Sequence, residues 1–153
     1  MQKITPFLWF NNNAEEAIDF YASIFKDVTK GAVSRYGKGG PGPEGSVMVA
    51  SFKMFGQEFT ALNGGPIFKF TEAISFVVNC ETQEEVDAYW EQLSEGGEKS
   101  QCGWLKDKFG LSWQIVPVAL PRLLSSGDAA KKGRVMQAMM KMTKIDIATL
   151  ENA

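Results

Sequence analysis

The chain contains a degenerate copy of itself, and that repetition constrains the fold more than any other feature. Residues 14–25, AEEAIDFYASIF, lie over residues 82–93, TQEEVDAYWEQL, at a constant offset of 68. Ile18 meets Val86, Asp19 meets Asp87, Tyr21 meets Tyr89 and Phe25 meets Leu93. The preceding run keeps the same offset, with Leu8-Trp9-Phe10-Asn11 over Phe76-Val77-Val78-Asn79. A later stretch matches at an offset of 54, Met54–Leu62 over Lys108–Val116. Both copies of that stretch carry Phe-Gly at a turn and an aromatic residue three positions on.

Each copy reads as strand, cap, helix and then further strands. In the first, Asn13 is placed as an N-cap with Glu16 at capping-box spacing. Ala14, Ala17, Ile18, Tyr21, Ile24 and Phe25 follow at helical period. In the second, Thr82 caps and Glu85 closes the box. Val86, Tyr89, Trp90 and Leu93 form the stripe, and Gly96-Gly97 ends it. Further strands are expected at Val28–Tyr36, Val47–Lys53 and Gly103–Lys106, with a weak one near Lys99–Gln101. The Phe-Gly pairs mark hairpin turns, where glycine adopts positive φ cheaply. The chain therefore reads as an α+β protein of two β-α-β-β-β modules, residues 1–66 and 70–118, with a helical extension over 119–153. In that extension Pro121 starts a turn, Asp128 caps a helix through Met142, and Asp146 caps a last short one.

Composition narrows the chemistry. Among 153 residues there is no histidine. A Ser-His-Asp triad, a Cys-His pair and any His-ligated zinc or iron site are thereby excluded. A formal charge of −2 gives no strong drive toward nucleic acid or an anionic membrane. No run approaches membrane length, and no signal peptide is expected at the opening, where Pro6 and Asn11-Asn12-Asn13 break the apolar segment. Cys80 and Cys102 form no CxxC, and free thiols in a reducing cytoplasm are expected.

The order and wording of these segments resemble the vicinal oxygen chelate superfamily of glyoxalase and bleomycin-resistance proteins, and within it the PhnB-like branch. That branch carries the description demethylubiquinone methyltransferase-like. The resemblance rests on Ile4-Thr5-Pro6-Phe7-Leu8-Trp9-Phe10, Ala14-Glu15-Glu16-Ala17 and Phe20-Tyr21. It continues in Ala61-Leu62-Asn63-Gly64-Gly65-Pro66, Cys102-Gly103-Trp104-Leu105-Lys106-Asp107, Phe109-Gly110, Ser112–Pro117 and Met139–Ile147. It implies that each module curls into half of an open barrel around a cavity. It also implies, for metal-dependent members, one ligand on the first and one on the last strand of each module. Those four positions fall near Thr5, Thr60, Ala73 and Gln114.

Such members use His and Glu there. Two hydroxyls, a methyl group and an amide do not make a site for a hard divalent ion. Glu58, two residues before Thr60 on the same strand face, is the nearby carboxylate. Gly37-Lys38-Gly39-Gly40-Pro41-Gly42 matches G-x-G-x-x-G, but Pro43, Glu44 and a β-rich run follow it rather than a helix. It reads as a loop and not as a phosphate or S-adenosylmethionine turn. No cofactor is expected.

The expected function is metal-independent binding of a small organic molecule in the cavity. Thr5, Trp9, Thr60, Asn63, Ala73, Cys102, Trp104 and Gln114 are the expected ligand contacts. Trp9 and Trp104 either line the cavity or pack in the core. If Gln114 faces the cavity, Trp113 faces the helices. The alternatives are an enzyme with Glu58 or Cys102 as acid, base or nucleophile, and a partner-binding module presenting the methionine-rich tail. Met136, Met139, Met140 and Met142 with Val135 make that tail apolar. It packs either on the partner in a homodimer or back on its own chain.

Overall fold

The computed structural model describes residues 2–153. The chain divides into a first unit ending at Phe70 and a second running from Thr71 to Ala153.

The first unit runs β1 (Phe7–Phe10), α1 (Ala14–Ile24), β2 (Val28–Arg35), β3 (Val47–Met54) and β4 (Gln57–Asn63). Its sheet order is β1-β4-β3-β2, with β1 parallel to β4 and the other pairs antiparallel. Period-two alternation assigns the two faces. Leu8, Phe10, Ala50, Phe52, Met54, Phe59 and Ala61 are buried on one of them. Ala14, Ala17, Ile18 and Tyr21 of α1 are buried as well, at the spacing of a single helical stripe. Phe52 and Phe59 face each other across β3 and β4, and their rings stack at 5.3 Å. The β3–β4 turn is Phe55-Gly56, both at positive φ (51° and 79°), the two-residue geometry that matches strand twist.

The expected capping box at Asn13 does not form. Asn13 stands at the N-cap without a side-chain bond. The first turn is capped from a distance instead, because Asn63 Oδ1 at the end of β4 accepts the Ala14 N–H at 2.8 Å.

The second unit repeats the plan with β5 (Ser75–Cys80), α2 (Gln83–Ser94), β6 (Glu98–Lys99), β7 (Trp104–Lys106) and β8 (Ser112–Pro117). Its order is β5-β8-β7-β6, the same connectivity as the first sheet. Thr82 caps α2 by accepting the Glu85 N–H at 3.2 Å. Val86, Trp90 and Leu93 are buried. The second Phe-Gly is not a two-residue hairpin. The connection spans Asp107 to Leu111, closed by Gly110 N–H to Asp107 O and Asp107 N–H to Leu111 O, each 2.9 Å.

Three helices complete this unit: α3 (Ala119–Leu124), α4 (Ala129–Met140) and α5 (Ile147–Glu151). Asp128 and Asp146 cap α4 and α5 as expected, the first accepting from Ala130 and Lys131 and the second from Thr149. α4 ends at Met140, two residues short of the expected Met142.

The tail folds back on its own chain. Leu120, Val135, Ile145 and Leu150 form a buried cluster, against which Val116, Met139 and Met142 pack. The Cys102 and Gly103 N–H groups donate to Met142 O and Thr143 O, each at 2.8 Å. Gln83 Nε2 donates to Ile145 O and its Oε1 accepts from Ile147 N–H. Val135, Met139 and Met142 of the apolar stripe pack within the unit, while Met136 and Met140 stay exposed.

Candidate functional site

Each sheet buries the face that carries its helix-side residues and leaves the other accessible. In the first unit the open face carries Phe7 and Trp9 of β1 with Thr60 and Leu62 of β4, strand neighbours by register. Phe7 is 58% exposed on it. Half-buried Thr5 precedes β1, next to Pro6, whose carbonyl accepts the Thr60 N–H at 2.9 Å. Trp9 Nε1 donates to Gly65 O at 2.9 Å and its ring meets Phe68 edge-on at 4.9 Å. Glu58, also on this face, sits 4.0 Å from Lys53 and is half-buried.

In the second unit Gln114 pairs with Val77 on β5 and with Trp104 on β7, so the three share the open face. Trp113 points the other way, as the alternation required. It is 2% exposed, meets Phe76 edge-on at 5.5 Å and gives its indole N–H to Asp107.

The register corrects one expected position. Phe7 stands beside Thr60 in the first sheet, and Val77 stands beside Gln114 in the second. With Thr60 and Gln114 as equivalents, the counterpart of Thr5 is Ser75, two residues beyond Ala73. Ala73 lies exposed in the turn before β5. Ser75 Oγ accepts the Gln114 amide N–H at 2.9 Å. The two sequence offsets slip by two residues relative to each other, which preserves the face and hides the error.

Asn63 is also reassigned. It points to the helix side, where its oxygen caps α1 and its amide donates to Glu15 Oε1 and Val47 O at 2.8 and 3.0 Å. With both N–H groups and the carbonyl engaged, its side chain ties the end of β4 to the start of α1.

The residues do not fit a divalent ion. Thr5, Thr60, Ser75 and Gln114 offer neutral oxygen, and Gln114 and Ser75 are bonded to each other. Among the described residues no three His, Cys, Asp or Glu side chains gather where an ion could be held. Nor does the Gly-rich loop fit a nucleotide-type cofactor. It hairpins back through Gly45 N–H to Tyr36 O at 2.9 Å and leads into β3, so no helix N-terminus follows it. Arg35 ends β2 as an exposed residue that donates to Gly45 O.

Both thiols are free. Cys80 is buried at the end of β5, and burial, with the nearby Glu85 charge, pushes its pKa up to about 12. Cys102 is half-exposed with φ at 57°, a strained setting for a side chain other than glycine. It lies on the wall of a cleft of about 640 Å³ that Trp104, Lys106, Glu72 and Ser112 also line. Glu72 and Lys106 form an ion pair. A smaller hollow of about 290 Å³ lies beside Tyr36, Asn63 and the Gly-rich loop in the first unit. The sequence reading missed Ser112, Lys106 and Glu72. Strand alternation from Gln114 points to Ser112, whereas the Glu72–Lys106 contact joins a turn to a strand and leaves no local signal.

The solved structures that share this architecture include the fosfomycin resistance protein FosX from Listeria monocytogenes, determined with Mn(II) and sulfate. It is 15% identical over 76% of this chain and 91% of its own, with a TM-score of 0.53. A "possible Glyoxalase" from Bacillus cereus is 15% identical over 76% of this chain and 98% of its own, with a TM-score of 0.50. At that identity they share the fold alone, which is that of the vicinal oxygen chelate superfamily. The PhnB protein from Bacillus cereus is nearer, at 41% identity over 76% of this chain and all of its own, with a TM-score of 0.70. Residues 2–116 match the family described as 3-demethylubiquinone-9 3-methyltransferase, and the chain belongs to this PhnB-like family. The matched region stops before α3, so the three C-terminal helices lie outside it. A comparison with curated proteins returns no match. Among the described residues no helix is long and apolar enough to cross a membrane.

Proposed function

We propose that this chain binds a small organic molecule without a metal ion on an open sheet face, that of Thr5, Trp9 and Thr60 in one unit or that of Trp104 and Gln114 in the other. The observation that carries the reading is the chemistry of those positions. Neutral hydroxyl and amide groups stand beside aromatic walls, a combination suited to orienting an organic ligand and unsuited to a metal. In this reading the protein works in the cytoplasm. A homodimer remains part of it, but its support moves from the tail to exposed apolar side chains such as Ile4, Ile67 and Ile74.

Native mass spectrometry of freshly purified protein tests the reading. A metal-free species carrying an organic adduct supports it, and the assembly mass reports the dimer. A stoichiometric divalent metal overturns it.

The strained φ of Cys102 on a cleft wall favours a second reading, an enzyme with Cys102 or Glu58 in the reaction. Turnover lost in Cys102→Ser or Glu58→Gln, with the fold intact, selects it.

A further inference from the structure

The cleft of the second unit holds one polar group that the fold does not satisfy. Ser112 is 0% exposed, lines the cleft, and its hydroxyl has no hydrogen-bond partner. An unpaired buried hydroxyl costs stability, so an occupant of the cleft that bonds to it is favoured. Directly opposite, on the same face, stands Lys106. Facing antiparallel pairs bring Cα atoms to about 4.5–5.5 Å. The Lys106 ammonium is already held by a carboxylate, that of Glu72 in the turn before β5. Trp104 and Cys102 supply the apolar wall beside this pair.

We infer that Lys106 and Ser112 form a carboxylate subsite for a small planar aromatic acid, and that Glu72 occupies the Lys106 half of it as a resident stand-in. One carboxylate can accept from both an ammonium and a hydroxyl. Glu72 engages the ammonium and leaves the hydroxyl unmet, and a ligand acid seated deeper engages both. Exchanging one carboxylate for another keeps the charge at Lys106 balanced. Glu98 faces Lys106 from β6 and Lys99 is held by Glu91, so the cleft accepts a monoanion and resists a dianion. The half-buried Trp104 indole gives the aromatic ring a flat surface. This inference rests on the cavity reading above and specifies the ligand class for one of its two faces.

The test is calorimetric titration of the full chain with 2-naphthoate and its neutral counterpart 2-naphthamide. We expect naphthoate to bind about tenfold tighter than naphthamide, the gain from one charge-assisted contact. That gap closes in Lys106→Met and narrows in Ser112→Ala. In Glu72→Gln, which removes the resident carboxylate, naphthoate affinity rises about tenfold while naphthamide affinity stays level. Equal affinity for the two probes, or no gain in Glu72→Gln, overturns the subsite. If an organic adduct travels with the purified protein under those results, the cavity reading survives the loss of the subsite. If no adduct is found and neither probe binds, both fall. Thermal melts of each variant confirm that the fold is retained.

Discussion

Asp107 accepts the indole N–H of Trp113 at 2.9 Å, and each residue is only 2% exposed. The other Asp107 oxygen takes the N–H groups of Phe109 and Leu111 at 2.9 and 3.1 Å. A buried carboxylate is tolerable only when so bonded. Here it does two jobs, shaping the turn between β7 and β8 and fixing a large aromatic side chain behind the open face. Gln114, the next residue along β8, is aimed outward because Trp113 is anchored inward.

Asp107→Ala removes three acceptor contacts, one of them to a buried indole N–H. The expected loss is about 3 kcal/mol of unfolding free energy. Urea denaturation measures it, and near-ultraviolet circular dichroism should show a weakened tryptophan signal. Asp107→Asn keeps an acceptor oxygen and should lose less. Equal stability of Asp107→Ala and wild type would mean that the turn holds without the carboxylate.

Asn63 ties β4 to the start of α1, and its replacements should separate capping from charge. Asn63→Ala loses the acceptor for Ala14 N–H, worth about 1–2 kcal/mol. Asn63→Asp keeps that acceptor but loses both donors and sets a second carboxylate against Glu15. We expect Asn63→Asp to be the less stable of the two at pH 7 and to recover as the pH falls through the carboxylate range. The check is a series of thermal melts between pH 4 and about pH 7. A pH-independent difference would contradict the repulsion argument.

Most of the fold was legible because its signals are local. The repeat gave two sheets of one connectivity, the alternation around Gln114 sent Trp113 to the core, and Thr82, Asp128 and Asp146 stood where caps belong. What was not legible depends on partners distant in sequence. Asn63 caps a helix 49 residues away, and nothing in its neighbourhood announces that. The repeat points to Ala73 rather than Ser75 because a two-residue slip leaves every side chain on its own face. The tail's apolar stripe said that a surface was needed but not whose. The Gln83 and Cys102–Gly103 contacts, the Lys144–Asp87 ion pair and the packing of Val116 place it on its own unit.

The two thiols should behave differently. Cys80 is buried with its pKa raised from 9.0 to about 12 by loss of solvation, so a thiolate reagent at pH 8 should not label it in the folded state. Cys102 is half-exposed and should label alone, with the second thiol appearing only on unfolding. The raised value also fixes the sign of a pH effect. Below pH 9.0 folded and unfolded chains both hold this proton, but between there and about 12 only the folded chain does. Stability should therefore fall with rising pH across that window. Cys80→Ala should flatten the fall, and an unchanged slope would show that other groups produce it.

Gly103 is the point where the tail meets the cleft. Its φ is +83°, and an added Cβ would lie 2.9 Å from Ile115 O and 3.1 Å from Ile145 Cγ1. Ile145 is one of the four residues of the tail's buried cluster. Gly103→Ala should therefore cost about 3 kcal/mol from backbone strain and overpacking together. It should also loosen the tail before the sheets, because the Met142 and Thr143 carbonyls bond to this same turn. Limited proteolysis reads that directly, as faster cleavage between α3 and α4 while the fragment carrying β5 to β8 persists. Gly127→Ala is the control, since an added Cβ there meets nothing within 4 Å. Cleavage unchanged in Gly103→Ala would mean that Gln83 and the Leu120–Leu150 cluster hold the tail without the Cys102–Gly103 turn.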